Sequence, residues 1–207
     1  GFGTASTLTV ADAAALASDS AAPDITAVAA VATTSSSLTA GTTNWTTTIT
    51  GTTPSWQEVR SRDLEDGRFI DDDDVSEAAA VVVLGTDTAT ELFGSAAAAV
   101  GQTVSYDGTN LEVIGVLEPL SSSEDTTNDD LAIVPMTTYS QRLVGGADRD
   151  AVSEIYLKAS SAETLSAAYQ EADAILTNAH GLTDGDDADF SIATQESILT
   201  AASSVDD

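Results

Sequence analysis

The chain has 207 residues, 42% of them apolar, and 34 acidic against 6 basic side chains, a net charge of −28. That length and apolar share suffice for one large domain or two small ones with a real core, while the charge all but excludes nucleic acid and anionic lipid as partners, which such a surface repels. With no cysteine, disulfides, thiol nucleophiles and cysteine-ligated zinc drop out together.

Thr9 and Asp12 form a capping box for a helix through Ala17, with Val10, Ala13, Ala14 and Ala17 on one stripe, and Pro23 breaks it. Residues 25–31 read as a small-residue strand. Residues 33–43, rich in Ser and Thr, read as a loop or a loosely patterned hairpin. Trp45, Thr47 and Ile49 then alternate with threonines along a strand that Gly51 ends. Thr53 offers a side-chain cap, Pro54 suits a first helical turn, and Ser55 with Glu58 predicts a second capping box. A short helix is expected there; Gly67 closes that segment before Arg68, Phe69 and four aspartates, and residues 78–84 form the longest apolar run, a buried strand. Thr88 and Glu91 predict a helical turn ended by Gly94.

Residues 102–106 and 111–117 flank Asp107-Gly108, a strong hairpin signal. Residues 119–130 are polar, serine-rich and acidic, and predict a mobile loop. Residues 131–136 read as a strand, after which Thr138 and Gln141 cap a helix that Gly145-Gly146 stops. Ile155, Leu157 and Ala159 alternate along a further strand. Ser160 with Glu163 then caps a helix whose face carries Leu165, Ala168, Tyr169, Ala172, Ile175, Leu176 and Ala179, ended by Gly181. Phe190, Ile192 and Thr194 mark the strand that completes a βαβ unit, for which a right-handed crossover between parallel strands is the rule. A final helix is expected with Ile198, Leu199, Ala202 and Val205 inward. The whole predicts an α+β fold. A βαβ-containing α/β subdomain comes from both chain ends, residues 1–55 and 146–207, with an inserted β-rich subdomain from residues 56–145.

Catalytic chemistry finds little support. His180 is the only histidine; a Ser-His-Asp triad would have to use it, and its place at a helix end predicts a capping or surface role. Asp71, Asp72, Asp73 and Asp74 offer oxygens to calcium or form a solvated loop, the ordinary fate of a charge run. In residues 184–189 an EF-hand pattern fails, since Ala188 falls at a ligand position and Asp189 where glycine is needed. The glycines match neither a Walker A loop nor a GxGxxG fingerprint. Trp45, Trp56, Phe69 and Tyr106 read as core anchors or as the lining of a groove. Arg60, Arg62 and Arg68 read as ion pairs with neighbouring acids or as a subunit contact. The acidity itself reads as a solvated coat suited to high salt, or as a cation-loaded functional surface. No catalytic, cofactor-binding or metal-ligating residue is assigned.

The order of short motifs carries more. Gly51-Thr-Thr-Pro54, Val59-Arg60, Gly67-Arg-Phe69, Val81-Val-Val-Leu-Gly85, Leu92-Phe-Gly94, Val100-Gly-Gln-Thr103 and Val113-Ile-Gly-Val-Leu117 succeed one another along the chain. In that order they resemble the extracytoplasmic core domain of MacB-type ABC transporter permeases, and the resemblance extends weakly through residues 133–135 to the helix near Leu165. It implies a non-catalytic domain lying between the first and second of four membrane helices. The parent would be a homodimer driven by a cytoplasmic ATP-binding subunit or domain, with an outer accessory protein as a further partner and the isolated domain monomeric. The same resemblance implies the two-part plan, with the end-built subdomain next to the membrane. No run approaches the roughly 18 apolar residues of a membrane helix, so a soluble piece is expected, complete or cut from something larger, with no secretory leader at Gly1. The competing expectation is a free-standing extracellular binding or adhesion module. Runs of about 20 apolar residues flanking the chain in its gene would decide against that alternative.

Overall fold

The computed structural model describes residues 8–17, 22–119, 129–144, 151–181, 190–195 and 197–203. In chain order these form α1 (Val10–Leu16), β1 (Ile25–Ala40), β2 (Thr43–Thr52), α2 (Trp56–Arg60), β3 (Leu64–Gly67), α3 (Asp72–Glu77), β4 (Val81–Leu84), α4 (Thr86–Phe93), α5 (Ala96–Ala99), β5 (Thr103–Tyr106) and β6 (Thr109–Leu117). They continue with β7 (Leu131–Pro135), α6 (Met136–Thr138), a π-helical turn (Tyr139–Leu143), β8 (Glu154–Ala159), α7 (Leu165–Ala179), β9 (Phe190–Gln195) and β10 (Ile198–Ser203). Two compact units result, Gly1–Val31 with Asp150–Asp207, and Ala32–Arg149.

The unit built from both ends centres on a sheet ordered β1-β8-β10-β9, in which every neighbouring pair is antiparallel. β8 and β9, the strands that α7 joins, therefore run parallel, but β10 lies between them. The final helix expected from Ile198, Leu199 and Ala202 is this strand instead. Their spacing fits a helical stripe, yet pairing on both sides satisfies the backbone and buries Leu199 and Ala201 completely, so tertiary pairing overrides local preference. The alternation of Ile155, Leu157 and Ala159 buries all three, and α7 buries Ala168, Ala172 and Leu176 at i, i+4 and i+8. Leu165, Tyr169 and Ile175 are half-buried and Ala179 is exposed, so the inward stripe is narrower than expected. The reciprocal cap before α7 also shifts. Thr164 N donates to Ser161 Oγ at 3.2 Å and Ser161 N to Thr164 Oγ1 at 2.9 Å, in place of a Ser160–Glu163 box. Truncating the fully buried Leu176 to alanine should cost this unit about 2–5 kcal/mol, read as a lowered urea midpoint; an unchanged midpoint would contradict the burial.

In the middle unit, the Ser/Thr-rich residues expected as a loop extend β1 to Ala40, because β2 pairs with them in register from Ala32↔Gly51 to Ala40↔Thr43. Threonine tolerates this half-buried pleated surface well. The two-residue turn has positive φ only at Gly41 (61°), the type II′ pattern that follows strand twist. β2 runs parallel to β7, β7 antiparallel to β4, β4 parallel to β6, and β6 antiparallel to β5. β5 meets β1 again at Thr39↔Ser105. The pairings of six strands therefore close on themselves, which leaves the ring without an open edge, and β3 adds to β6. Buried residues from every strand of the ring fill the core, among them Leu38, Ile49, Val82, Val104, Leu111, Val113, Val116 and Ile133.

This pairing also explains where the division falls. Residues 32–55, expected with the ends, go with the middle unit because β2 is held between β1 and β7. The Asp107-Gly108 hairpin forms as read, with φ of 47° and 89°. Ser55 makes no side-chain cap; Trp56 N donates to the Thr53 carbonyl at 3.0 Å. The helix expected from Thr138 starts at Met136 directly after β7, and Thr138 is buried with its hydroxyl on the Ala79 carbonyl at 2.6 Å. Gly145 and Gly146 lie outside the described residues, as do residues 120–128 and 184–189.

Candidate functional site

Four of the motif glycines in the middle unit, Gly51, Gly67, Gly85 and Gly115, mark contacts too close for a side chain. A Cβ on Gly51 would lie 2.5 Å from Tyr139 Cβ, one on Gly85 2.3 Å from the Asp129 carbonyl, and one on Gly115 2.3 Å from the Arg68 carbonyl. Gly67 is held against Ile114 in the same way. These glycines thus record places where β2, β3, β4, β6, β7 and the π-helical turn approach through bare backbone. They are packing determinants that carry no reacting group.

Around them lie the polar groups that the sequence singles out. Trp56 and Phe69 are buried and stacked with centroids 5.8 Å apart, and the Arg62 guanidinium lies 5.9 Å from the Trp56 ring centre. Arg62, 6% exposed, reaches Asp129 Oδ1 at 3.3 Å and the Glu118 carbonyl at 3.5 Å. Burial lowers its pKa from the ordinary value against the opposing pull of Asp129, and arginine still stays charged at neutral pH. Trp45 and Tyr106 are half-buried elsewhere on the unit. Trp45 Nε1, Thr47 Oγ1 and Thr88 Oγ1 converge on Asp130 Oδ1 at 2.9, 2.7 and 3.0 Å. Thr88, expected to start a helix, is spent here, and α4 begins at Thr86 after Gly85. Asp129 and Asp130, expected in a mobile loop, thus hold fixed partners. Their only sequence signal is a pair of acids directly before an apolar strand.

Asp71 to Asp74 open a helix in place of the expected loop, with Asp71, Asp72 and Asp73 exposed and Asp74 buried. Asp74 N donates to Asp71 Oδ1 and Asp71 N to Asp74 Oδ2, both at 2.9 Å, a capping box that opens α3. Arg68 Nη1 donates to Asp74 Oδ2 at 2.8 Å and to Asp71 Oδ2 at 3.4 Å. Burial pushes the Asp74 carboxyl up, but the bonds from Arg68 and Asp71 outweigh it and hold its pKa below the ordinary value. A carboxyl depressed on folding adds stability above its ordinary pKa of about 3.9 and loses it as pH falls through the folded value. Asp74→Asn should therefore lower stability by about 1 kcal/mol at pH 7, the half-exposed Arg68 limiting the effect. Its deficit against wild type should shrink in acid; a deficit that grows toward pH 3 would contradict the assignment.

Arg60 is exposed at the end of α2. In the other unit His180 is 5% exposed, its Nε2 2.8 Å from Asp12 Oδ2 and its ring edge-on to Phe190 at 5.8 Å. Of the expected capping or surface role, the first half holds, since His180 is the C-cap of α7; the surface half is corrected, because the ring is buried against a carboxylate that no local pattern ties to it. A pocket between α7 and β9 is lined by Leu165, Ser166, Tyr169, Gln170 and Thr194, all uncharged. Among the described residues no three His, Cys, Asp or Glu gather with metal-binding spacing, and no buried side-chain N or O lacks a hydrogen-bond partner. No described helix is long and apolar enough to cross a membrane.

A family model described as MacB-like periplasmic core domain matches residues 1–175. The macrolide export ATP-binding/permease protein MacB of Hyphomonas neptunium is 35% identical over 169 residues, which covers 81% of this chain and 25% of that protein. Its counterpart in Chlorobium luteolum is 32% identical over 164 residues, covering 79% and 24%. The chain thus spans about a quarter of the length of these relatives. Among solved structures, the extracellular domain of the noncanonic ABC-type transporter YknZ from Gram-positive bacteria is similar with a TM-score of 0.71 and 22% identity, covering 94% of this chain and 89% of that one. The periplasmic region of MacB from Actinobacillus actinomycetemcomitans gives 0.72 and 22%, covering 94% and 78%. At such identity the structural likeness speaks to the fold, mixed α/β with sheet predominant.

Proposed function

This chain belongs to the family of MacB-like periplasmic core domains, which stand on the extracytoplasmic side of an ABC transporter permease, and we propose that it transmits motion without catalysing a reaction. ATP-driven movement of the parent's membrane helices passes through the domain to substrate export or to a partner outside. The observation that carries this reading is the division of the chain: residues from both ends build one compact unit, and the middle of the chain builds the other. A domain inserted between two membrane helices needs that arrangement, with the end-built unit as the membrane-proximal one. The described polar groups singled out above, Asp12, Arg62, Arg68, Asp71, Asp74, Asp129, Asp130 and His180, support this reading, since they are engaged in caps, ion pairs and hydrogen bonds.

Its partners on this reading are its own permease helices and a cytoplasmic ATP-binding subunit or domain. The parent is a homodimer, and an outer accessory protein completes the assembly. The isolated domain is a monomer, because the membrane segments supply much of the dimer contact. The test is the distance between spin labels at Gly3 and Ser203 in the 207-residue chain. Both labels on one pole support the insertion geometry; labels on opposite poles would rule it out, and the transmission with it.

A further inference from the structure

α1 has seven residues, too few to hold a helix in water without tertiary support. Leu8 and Leu16 are fully buried and Ala13 is 8% exposed, so the helix is held by docking. A polar contact between α1 and α7 runs through Asp12 Oδ2. Asp12 Oδ2 accepts Thr9 N at 3.0 Å, closing the box that starts α1, and the same oxygen lies 2.8 Å from His180 Nε2 at the end of α7. An ionised carboxylate only accepts, so the ring nitrogen carries the hydrogen. Both side chains are under a tenth exposed, and Phe190 on β9 stands edge-on against the ring. The cap of one helix and the end of another are thereby made at a single buried oxygen, so unwinding the start of α1 disturbs both bonds and tilting α1 away breaks the contact with His180.

We propose that Asp12 and His180 form a rigid joint, a pair of positioning residues through which displacement of α1 reaches α7 and the strands β8 and β9 that α7 connects. The transmission rests on the function proposed for the domain; the joint itself does not. Amide hydrogen exchange on the 207-residue chain tests the joint alone. In the wild type, α1 and the last turn of α7 should open together, with matching protection. His180→Leu should speed exchange in α1 by roughly ten- to a hundredfold, the range for a hydrogen bond to a charged group, and leave the middle unit unchanged. His180→Gln, which keeps a donor, should restore most of the protection. Wild-type α1 exchanging far faster than the end of α7 would overturn the joint without need of any variant. So would equal acceleration across both units in His180→Leu.

The transmission is read in the homodimeric parent. A pair of labels at Val10 and Ala174, both exposed, should keep one distance with and without ATP-vanadate. A single label at Ala174 should shift between copies in the wild type and lose that shift in His180→Leu. A nucleotide-dependent Val10–Ala174 distance would show that the joint gives way under load. An immobile Ala174 in the wild type would sink the transmission reading and leave the exchange result standing.

Discussion

Replacing Gly67 by valine is expected to unfold the middle unit at temperatures where the wild type is intact. An added Cβ would lie 2.1 Å from the Ile114 carbonyl oxygen and 2.7 Å from Gly115 Cα. Neither is the free end of a side chain, so β3 or β6 must move. The residue also sits at φ 75°, where a β-branched side chain is strained in any space. The two β-strands cannot simply part, because Arg68 N donates to the Ile114 carbonyl at 2.9 Å and Gly115 is pressed against the Arg68 carbonyl from the other side. Strain and overpacking together place the cost at about 4 kcal/mol or more, a large part of the stability of an ordinary domain. Fluorescence of the buried Trp56 against urea measures it. Gly94→Ala is the control: it also has positive φ (89°) but nothing within 4 Å of the added atom, so about 1 kcal/mol is expected. Equal midpoints for the two variants would refute the steric account.

The second large effect is that of salt. With 34 acidic and 6 basic side chains, the folded chain confines 28 net negative charges. At 0.01 M salt the screening length is about 30 Å, so each carboxylate feels most of the others; at 1 M it is about 3 Å and only adjacent groups interact. The unfolded chain spreads the same charge over a larger volume, so screening favours the folded state. Melting temperature is expected to rise by about 10 °C or more between dilute buffer and molar NaCl or KCl, at roughly 2–4 °C per kcal/mol for a chain of this size. A midpoint unchanged or lowered by salt would contradict the repulsion. A gain specific to low-millimolar calcium would instead point to a bound cation, against the capping role that Asp71 and Asp74 already fill.

The features legible in the sequence are local or periodic. The Thr9–Asp12 box, the Asp107-Gly108 turn, the alternation of Ile155, Leu157 and Ala159, and the buried row of α7 each rest on residues a few positions apart. The misreadings share a different cause. Thr33 to Ala40 carry few apolar residues, and only the distant strand β2 makes them a strand. Ile198 to Ser203 would suit a helix, and only β8 and β9 on either side decide otherwise. Asp12 and His180 stand at opposite ends of the chain, and nothing near either names the other. The motif glycines are legible as a family pattern, but the physical reason for Gly51, Gly67, Gly85 and Gly115 is not, because each of these four avoids a backbone or side chain far away in sequence.

Construction of one unit from both chain ends also sets an order of events during synthesis. As the polypeptide emerges from the ribosome, the first part of β1 comes out long before β8, yet Ala30 pairs with Ile155 and Val28 with Leu157. Those early residues must wait, unpaired, while the closed ring from Ala32 to Arg149 forms. The strand pairings that close the ring all fall within residues 32–135. The end-built sheet can begin with β8 beside β1 and is complete only when β10 has arrived to take its place between β8 and β9. A chain stalled near residue 150 should therefore present a finished middle and a dangling, protease-sensitive start, and release of the remaining residues should convert that start to a protected strand.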